Sequence, residues 1–307
     1  MGAPPGSHPD DTLSPAELAA KYGLSVSGAR PPLPEYVRQL WARRHFILAF
    51  SQAKLTAQYS KAKLGQVWHV ATPLLNALVY YFIFGLLLGA RDGIPGGSGN
   101  YVPFLIIGVF IYTFTQQSVM AGVKAIPTNL GLVRALHFPR ASLPVSFALQ
   151  QLQQLLYSMI VMILVLVAFH QLPTLRWPLI LPALLLQFMF NSGLAMIMAR
   201  AGAKTPDLAQ LMPFILRTVM YASGVMFPLH YMITHPDRGN LPLWVSDIMQ
   251  ATPIAVYMDL VRYIFISDYS YADVAPHIWL LALGWAVVTF VFGFVYFWKA
   301  EERYGRG

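Results

Sequence analysis

Apolar positions gather into six long windows free of Asp, Glu, Lys and Arg: 64–90, 93–123, 141–175, 177–199, 218–236 and 274–298. A helix crosses the hydrocarbon core with about 20 predominantly apolar residues. The pattern therefore predicts an all-α integral membrane protein with six transmembrane helices, near 67–89, 102–123, 143–168, 178–199, 208–228 and 277–298. The fifth carries one charge, Arg217. Trp68, Trp177, Trp279 and Trp298 fall at the ends of predicted spans, where amphipathic rings favour the headgroup level. Gly93, Pro95, Gly96, Gly97 and Gly99 predict the turn after the first span. As a phosphate-binding loop the same glycines would need a lysine and a strand–helix context, and both are missing.

Two regions outside the spans carry their own pattern. Residues 1–34 are rich in Pro, Gly, Ser and Ala and read as a flexible cytoplasmic tail, with a short helix near Ser14–Tyr22. The rest, 35–307, reads as one transmembrane domain. It begins with Tyr36, Val37, Leu40 and Trp41 at helical spacing among Arg38, Arg43 and Arg44. That is the pattern of an amphipathic helix lying in the membrane interface; a helix packed on a soluble partner would look the same. Between spans five and six, Leu241–Gln250 and Pro253–Ile266 both read as helices, with Thr252 as N-cap and Pro253 at the first helical position. At about 15 and 21 Å they are too short to span. They predict a re-entrant outer hairpin, with a small external helical cap as the alternative.

Composition narrows the chemistry. The chain is 56% hydrophobic and 11% charged, and it has no cysteine. Disulfides, thiol nucleophiles and cysteine-ligated metals are excluded. The net charge of +8 would suit nucleic acid, but its distribution does not. With both termini cytoplasmic, 16 of the 21 Lys and Arg residues fall inside, Arg91, Arg176, Arg238 and Arg262 fall outside, and Arg217 lies within a span. The positive-inside rule accounts for this asymmetry, so no nucleic-acid partner is expected. Residues 1–30 lack the apolar core of a secretory signal, and insertion is expected to rely on the internal spans.

Catalytic signatures are missing. No Gly-Lys dipeptide occurs, hence no P-loop, and none of the 13 acidic residues lies within the six spans. Proton- or sodium-coupled transporters bury carboxylates at that depth. No metal or catalytic-triad motif is visible, so neither a catalytic nor a metal site is expected. A membrane-embedded glycosyl- or acyltransferase would need Asp247 or Asp259 in the outer hairpin; both fit equally as solvated or helix-terminal residues.

The cytoplasmic loop Pro127–Pro144 is the most informative segment. Asn129 can cap a short helix reaching Leu136, with Leu132, Val133 and Leu136 as its apolar side, and Phe138-Pro139 ends it. A short apolar-and-basic helix suits a groove on a partner; an ordinary interfacial turn is the other reading. This segment, with Gly131-Leu-Val-Arg134 and Phe138-Pro-Arg140, resembles the coupling-helix region of ABC-2 type polysaccharide export permeases of the O-antigen and teichoic-acid exporter kind. Lys61–Pro73, with its Leu64-Gly-x-x-Trp68, and Ala251-Thr-Pro253 followed by an Arg-containing helix extend the resemblance from about residue 35 onward. The C-terminal Lys299–Arg306 is most similar to actinobacterial members that export cell-wall galactan.

The resemblance implies a homodimer in the bacterial cytoplasmic membrane, joined to two separate ATPase subunits that bind ATP and Mg. This chain would hold no cofactor and catalyse nothing itself. It would export a lipid-linked polysaccharide, and another lipid or a drug is the alternative cargo. Asn129, Gly131, Leu132, Val133, Arg134 and Leu136 would form the ATPase-coupling element. Tyr80, Tyr81, Tyr112 and Phe114 in the first two spans, with Arg217 in the fifth, are the candidate conduit residues. A glycan offers ring faces and hydroxyls, and a lipid diphosphate suits the arginine fork.

Overall fold

The computed structural model describes residues 14, 17–18, 21–22, 31–58, 60, 63–89, 94–136, 138–229, 231, 242–271 and 273–304. Most of the expected tail, Arg91–Gly93 and 232–241 lie outside them. Among these residues everything regular is helical. Helix α1 spans Leu33–Ala42 and α2 Arg44–Gln58. Helix α3, Trp68–Tyr80, continues as a π-helical turn over Tyr81–Leu87. Then follow α4 (Tyr101–Lys124), α5 (Leu130–Ala135), α6 (Ser142–Ala168), α7 (Ile180–Lys204), α8 (Leu208–Ala222), α9 (Leu243–Gln250), α10 (Pro253–Phe265) and α11 (Ile278–Trp298).

Five helical stretches among the described residues are long and apolar enough to cross a membrane: α3 with its π turn, α4, α6, α7 and α11. The exception to the predicted spans is α8. The expected helix to 228 stops at Ala222, because Gly224 adopts a positive φ of 76° and the chain turns there. Its 15 residues reach about 22 Å, short of the hydrocarbon thickness. The expected interface helix is also divided: Arg43, at φ −89° and ψ 12°, separates α1 from α2.

The bundle is apolar on its outside as well as its inside. Leu78, Phe82 and Leu87 beside α3, Ile160 and Leu164 on α6, and Val288 and Phe292 on α11 are exposed, as suits helices solvated by lipid chains. Helix α4 is the central element, buried along most of its length. Helices α7 and α11 pack backbone to backbone: a Cβ on Gly293 would collide with the Gly193 carbonyl oxygen. Small residues let membrane helices approach this closely and gain dispersion contact where no hydrophobic drive exists.

The outer helices differ from each other. Trp244 and Ile248 of α9 are exposed, whereas α10 is packed among α4, α7 and α11 with Val256, Tyr257, Leu260, Val261 and Phe265 buried. Pro253 occupies the first turn as predicted, but Thr252 does not cap with its side chain: its hydroxyl donates to the Met249 carbonyl at 2.7 Å.

Candidate functional site

Helix α5 is reached from α4 through a 3-10 turn at Pro127–Asn129, so the chain never leaves helical geometry long enough for a side-chain cap. The expected capping role of Asn129 is therefore replaced. Its amide donates to the Ala125 carbonyl at 2.8 Å, and its oxygen accepts from the Lys54 ammonium at 3.4 Å. Lys54 stands over the rings of Phe50 and Phe147, tying α2 to the loop. Helix α5 ends at Ala135, and Leu136 is extended. Val133 is buried beside Tyr36, Ile126 and Phe297, and Leu132 is half-buried. The expected apolar side is thus shared: Val133 anchors the helix, while Gly131, Arg134, Ala135 and Leu136 face outward. A cleft of about 440 Å³ flanks the loop, lined by Ile126, Pro127, Leu130, Arg200, Lys204 and Tyr296 among others.

The candidate conduit residues divide between core and surface. Tyr112 and Phe114 lie within the packed core at 1% and 3% exposure. The Tyr112 hydroxyl donates to the Leu216 carbonyl of α8. Tyr81 and Tyr101 bring their ring centroids to 6.1 Å, and the Tyr101 hydroxyl donates to the Met226 carbonyl at 3.1 Å. The half-buried Tyr80 donates to the Met220 sulfur at 3.5 Å, one turn beyond Arg217 on α8. Met212, Leu216 and Met220 face inward on that helix, while Arg217 is exposed beside Phe214, Thr218 and Tyr221. The described residues supply Arg217 no hydrogen-bond acceptor.

Two glutamines not singled out from the sequence also border α8. Gln116 and Gln117 of α4, with Met120, Ala121, Lys124 and Pro213, line a groove of about 380 Å³ beside α8. The described residues give neither amide a hydrogen bond. Gln117 lies about 10 Å along α4 from Lys124, and Arg217 about 14 Å along α8 from Leu208. The signal was legible as a polar pair inside an apolar window.

Arg262, counted from the sequence among the charges outside the spans, is enclosed within the protein at 2% exposure. Its Nη1 pairs with Asp259 at 2.9 Å, its Nε donates to the Phe104 carbonyl at 3.3 Å, and its Nη2 reaches the carbonyls of Gly224 at 3.0 Å and Val225 at 3.1 Å. The guanidinium lies over the Phe104 ring at 3.4 Å. Asp259 is thereby committed to an ion pair and is neither solvated nor helix-terminal. Acid and base three residues apart on an apolar helix were the available clue.

Comparison with known proteins places this geometry. The model of the ABC-2 type transporter family matches residues 46–266. The chain is 28% identical to the O-antigen export system permease protein RfbA of Myxococcus xanthus over 63% of this chain and 72% of that protein. Against the protein of the same name from Klebsiella pneumoniae, identity is 26% over 71% of this chain and 85% of the relative. The polysialic acid transport protein KpsM of Escherichia coli is 24% identical over 58% of this chain and 67% of its own length. With the family's pattern running from within α2 to the end of α10, this multi-pass membrane chain belongs to the ABC-2 type transporters.

Proposed function

We propose that this chain is the permease subunit of an exporter that moves a lipid-linked polysaccharide outward across the bacterial cytoplasmic membrane. The energy comes from a separate ATPase subunit, which binds ATP and Mg; two copies of each subunit assemble, with both termini of this chain cytoplasmic. The relatives named for O-antigen and polysialic acid transport support the cargo class.

The observation that carries the reading is the open face of α4 and α8. Arginine and amide groups at membrane depth are costly against lipid. Among the described residues Arg217, Gln116 and Gln117 have no hydrogen-bond partners, so the face suits a wet surface covered by a second copy and swept by substrate. Amides bond sugar hydroxyls, and a guanidinium holds a diphosphate bidentately. Tyr80 borders the same face. Tyr81, Tyr112 and Phe114 act behind it by holding α3 and α4 in place. Helix α5 offers the ATPase subunit its outward face, Gly131, Arg134 and Leu136, while Asn129, Leu132 and Val133 fix it from behind. The short α9 and α10 form the outer hairpin around the exit.

The test is ATP turnover by the chain co-purified with its ATPase subunit. Lipid-linked polysaccharide should stimulate it, and this chain alone should hydrolyse nothing. Stimulation by a phospholipid or a hydrophobic drug but not by the glycolipid would replace the cargo.

A further inference from the structure

Three distant segments meet at the cytoplasmic end of the bundle. Glu301, just past α11, is 6% exposed, and Tyr36 of α1 is 1% exposed. The Tyr36 hydroxyl donates to Glu301 Oε2 at 2.8 Å, and the Arg140 backbone N–H donates to Glu301 Oε1 at 2.9 Å. The Ala141 N–H donates to the Tyr36 hydroxyl oxygen at 3.1 Å, and the Arg140 guanidinium reaches the Glu301 carbonyl. Arg140 and Ala141 are consecutive, so the bonds close a ring. It runs from the Glu301 carboxylate to the Arg140–Ala141 backbone, to the Tyr36 hydroxyl, and back to the carboxylate. Arg140 lies between α5 and α6, a few residues past the outward face of α5.

From this ring we infer that Glu301 is a positioning residue for energy coupling. It locks the α5–α6 loop, α1 and the end of α11 into one rigid body that moves with the ATPase subunit. The inference rests on the coupling role proposed for α5.

The physical reason is the all-or-none character of the ring. Both carboxylate oxygens accept, and the tyrosine hydroxyl both donates and accepts. A shift of the loop by an ångström would strand a buried carboxylate and a buried N–H together, and stranded polar groups are costly in such a place. Packed, hydrogen-bonded junctions of this kind hold one arrangement or another and do not stretch. A push on α5 is therefore delivered to α1, α6 and α11 at once. Burial pushes the Glu301 carboxyl above the usual carboxylate range, while the Arg140 N–H, the Tyr36 hydroxyl and the Arg140 charge oppose that rise. Tyr36, Arg140 and Tyr304 are the ionisable groups that face it.

The test uses the whole complex in proteoliposomes and reads glycan exported per ATP hydrolysed. Tyr36→Phe and Glu301→Gln should each lower that ratio by at least about fivefold, leaving ATP turnover within about twofold, and the double variant should be no worse than either single. At neutral pH the gap between wild type and Glu301→Gln should be widest. It should narrow as the pH falls and the wild-type carboxyl, held above the usual carboxylate range by burial, takes up its proton. A normal ratio in either single variant, or multiplying losses in the double, would overturn the inference.

Should Glu301→Gln fold poorly, spin labels at Thr128→Cys and Lys299→Cys in the otherwise cysteine-free chain decide the matter. Their separation should stay fixed when an ATP analogue binds, and a changed separation would refute the rigid body. Leu136→Asp separates the two ideas. If it uncouples and the Glu301 variants do not, the ring fails and the α5 reading stands. If Leu136→Asp exports normally, the α5 reading itself fails.

Discussion

Two arginines lie in apolar surroundings 45 residues apart, and they are treated in opposite ways. Arg262 is enclosed, with a carboxylate, three carbonyls and an aromatic face around it. Arg217 is exposed on α8, with Tyr80 bound one turn away and unpartnered amides on the neighbouring helix. A buried charge that finds all its partners within the chain has its role there: Arg262 fastens α10 to α4 and to the turn that ends α8. Arg217 finds no hydrogen-bond acceptor among the described residues, which leaves its guanidinium open to a partner from outside them. The contrast separates an enclosed structural arginine from an exposed one, and it is on the exposed one that the proposed cargo contact rests.

The comparison breaks most visibly at Arg262. Arg262→Leu leaves Asp259 unpaired and takes a donor from three carbonyls, and removing one partner of a buried pair costs about 3–5 kcal/mol. Folded yield and thermal midpoint in detergent should drop sharply, while Arg217→Leu should leave both unchanged. Next in size is Gly108, whose added methyl would meet Arg262 Nη2 at 2.6 Å and the Val225 carbonyl at 2.9 Å. Gly108→Ala should destabilise by about 1–3 kcal/mol, as overpacking does, read from the same melting curves.

Smaller still in stability, but not in function, is Leu136→Asp on the outward face of α5. Its cost should stay within about 0.5 kcal/mol because the site is exposed, yet ATP hydrolysis should no longer drive export. Smallest is the paired Gln116→Ala and Gln117→Ala change, expected to slow export about two- to tenfold, the size of one or two lost neutral hydrogen bonds. Equal loss with a hydrophilic and a hydrophobic cargo would remove the glycan from this groove.

The spans were legible because charge-free windows are long and unambiguous: α4, α6, α7 and α11 fall within a few residues of their predicted bounds, Trp177 and Trp298 mark edges of α7 and α11, and Trp68 begins α3. What escaped depends on tertiary partners. The stop at Ala222 rests on one glycine's positive φ inside a window that stays apolar to Pro236. The enclosure of Arg262 could not be read because charge counting ignores the carbonyls that can surround a guanidinium. Asn129 had the composition of a cap but not the backbone of one. The Tyr36–Glu301 bond joins residues 265 apart in a way no local pattern announces. Among the proposed conduit residues, Tyr80 and Arg217 stand out in sequence as polar groups in or beside apolar windows, whereas the core positions of Tyr112 and Phe114 depend on which face α4 turns to α8.

The central claim is that the exposed face around Arg217 meets an anionic, glycan-bearing lipid. It is tested most directly by ATP-driven transfer of a lipid-linked polysaccharide across proteoliposomes holding the complex, with wild type, Arg217→Lys and Arg217→Leu matched for folded protein. The account predicts partial transfer with lysine, which keeps the charge but loses the bidentate fork. It predicts almost none with leucine, at an unchanged thermal midpoint. Wild-type transfer by Arg217→Leu would contradict it.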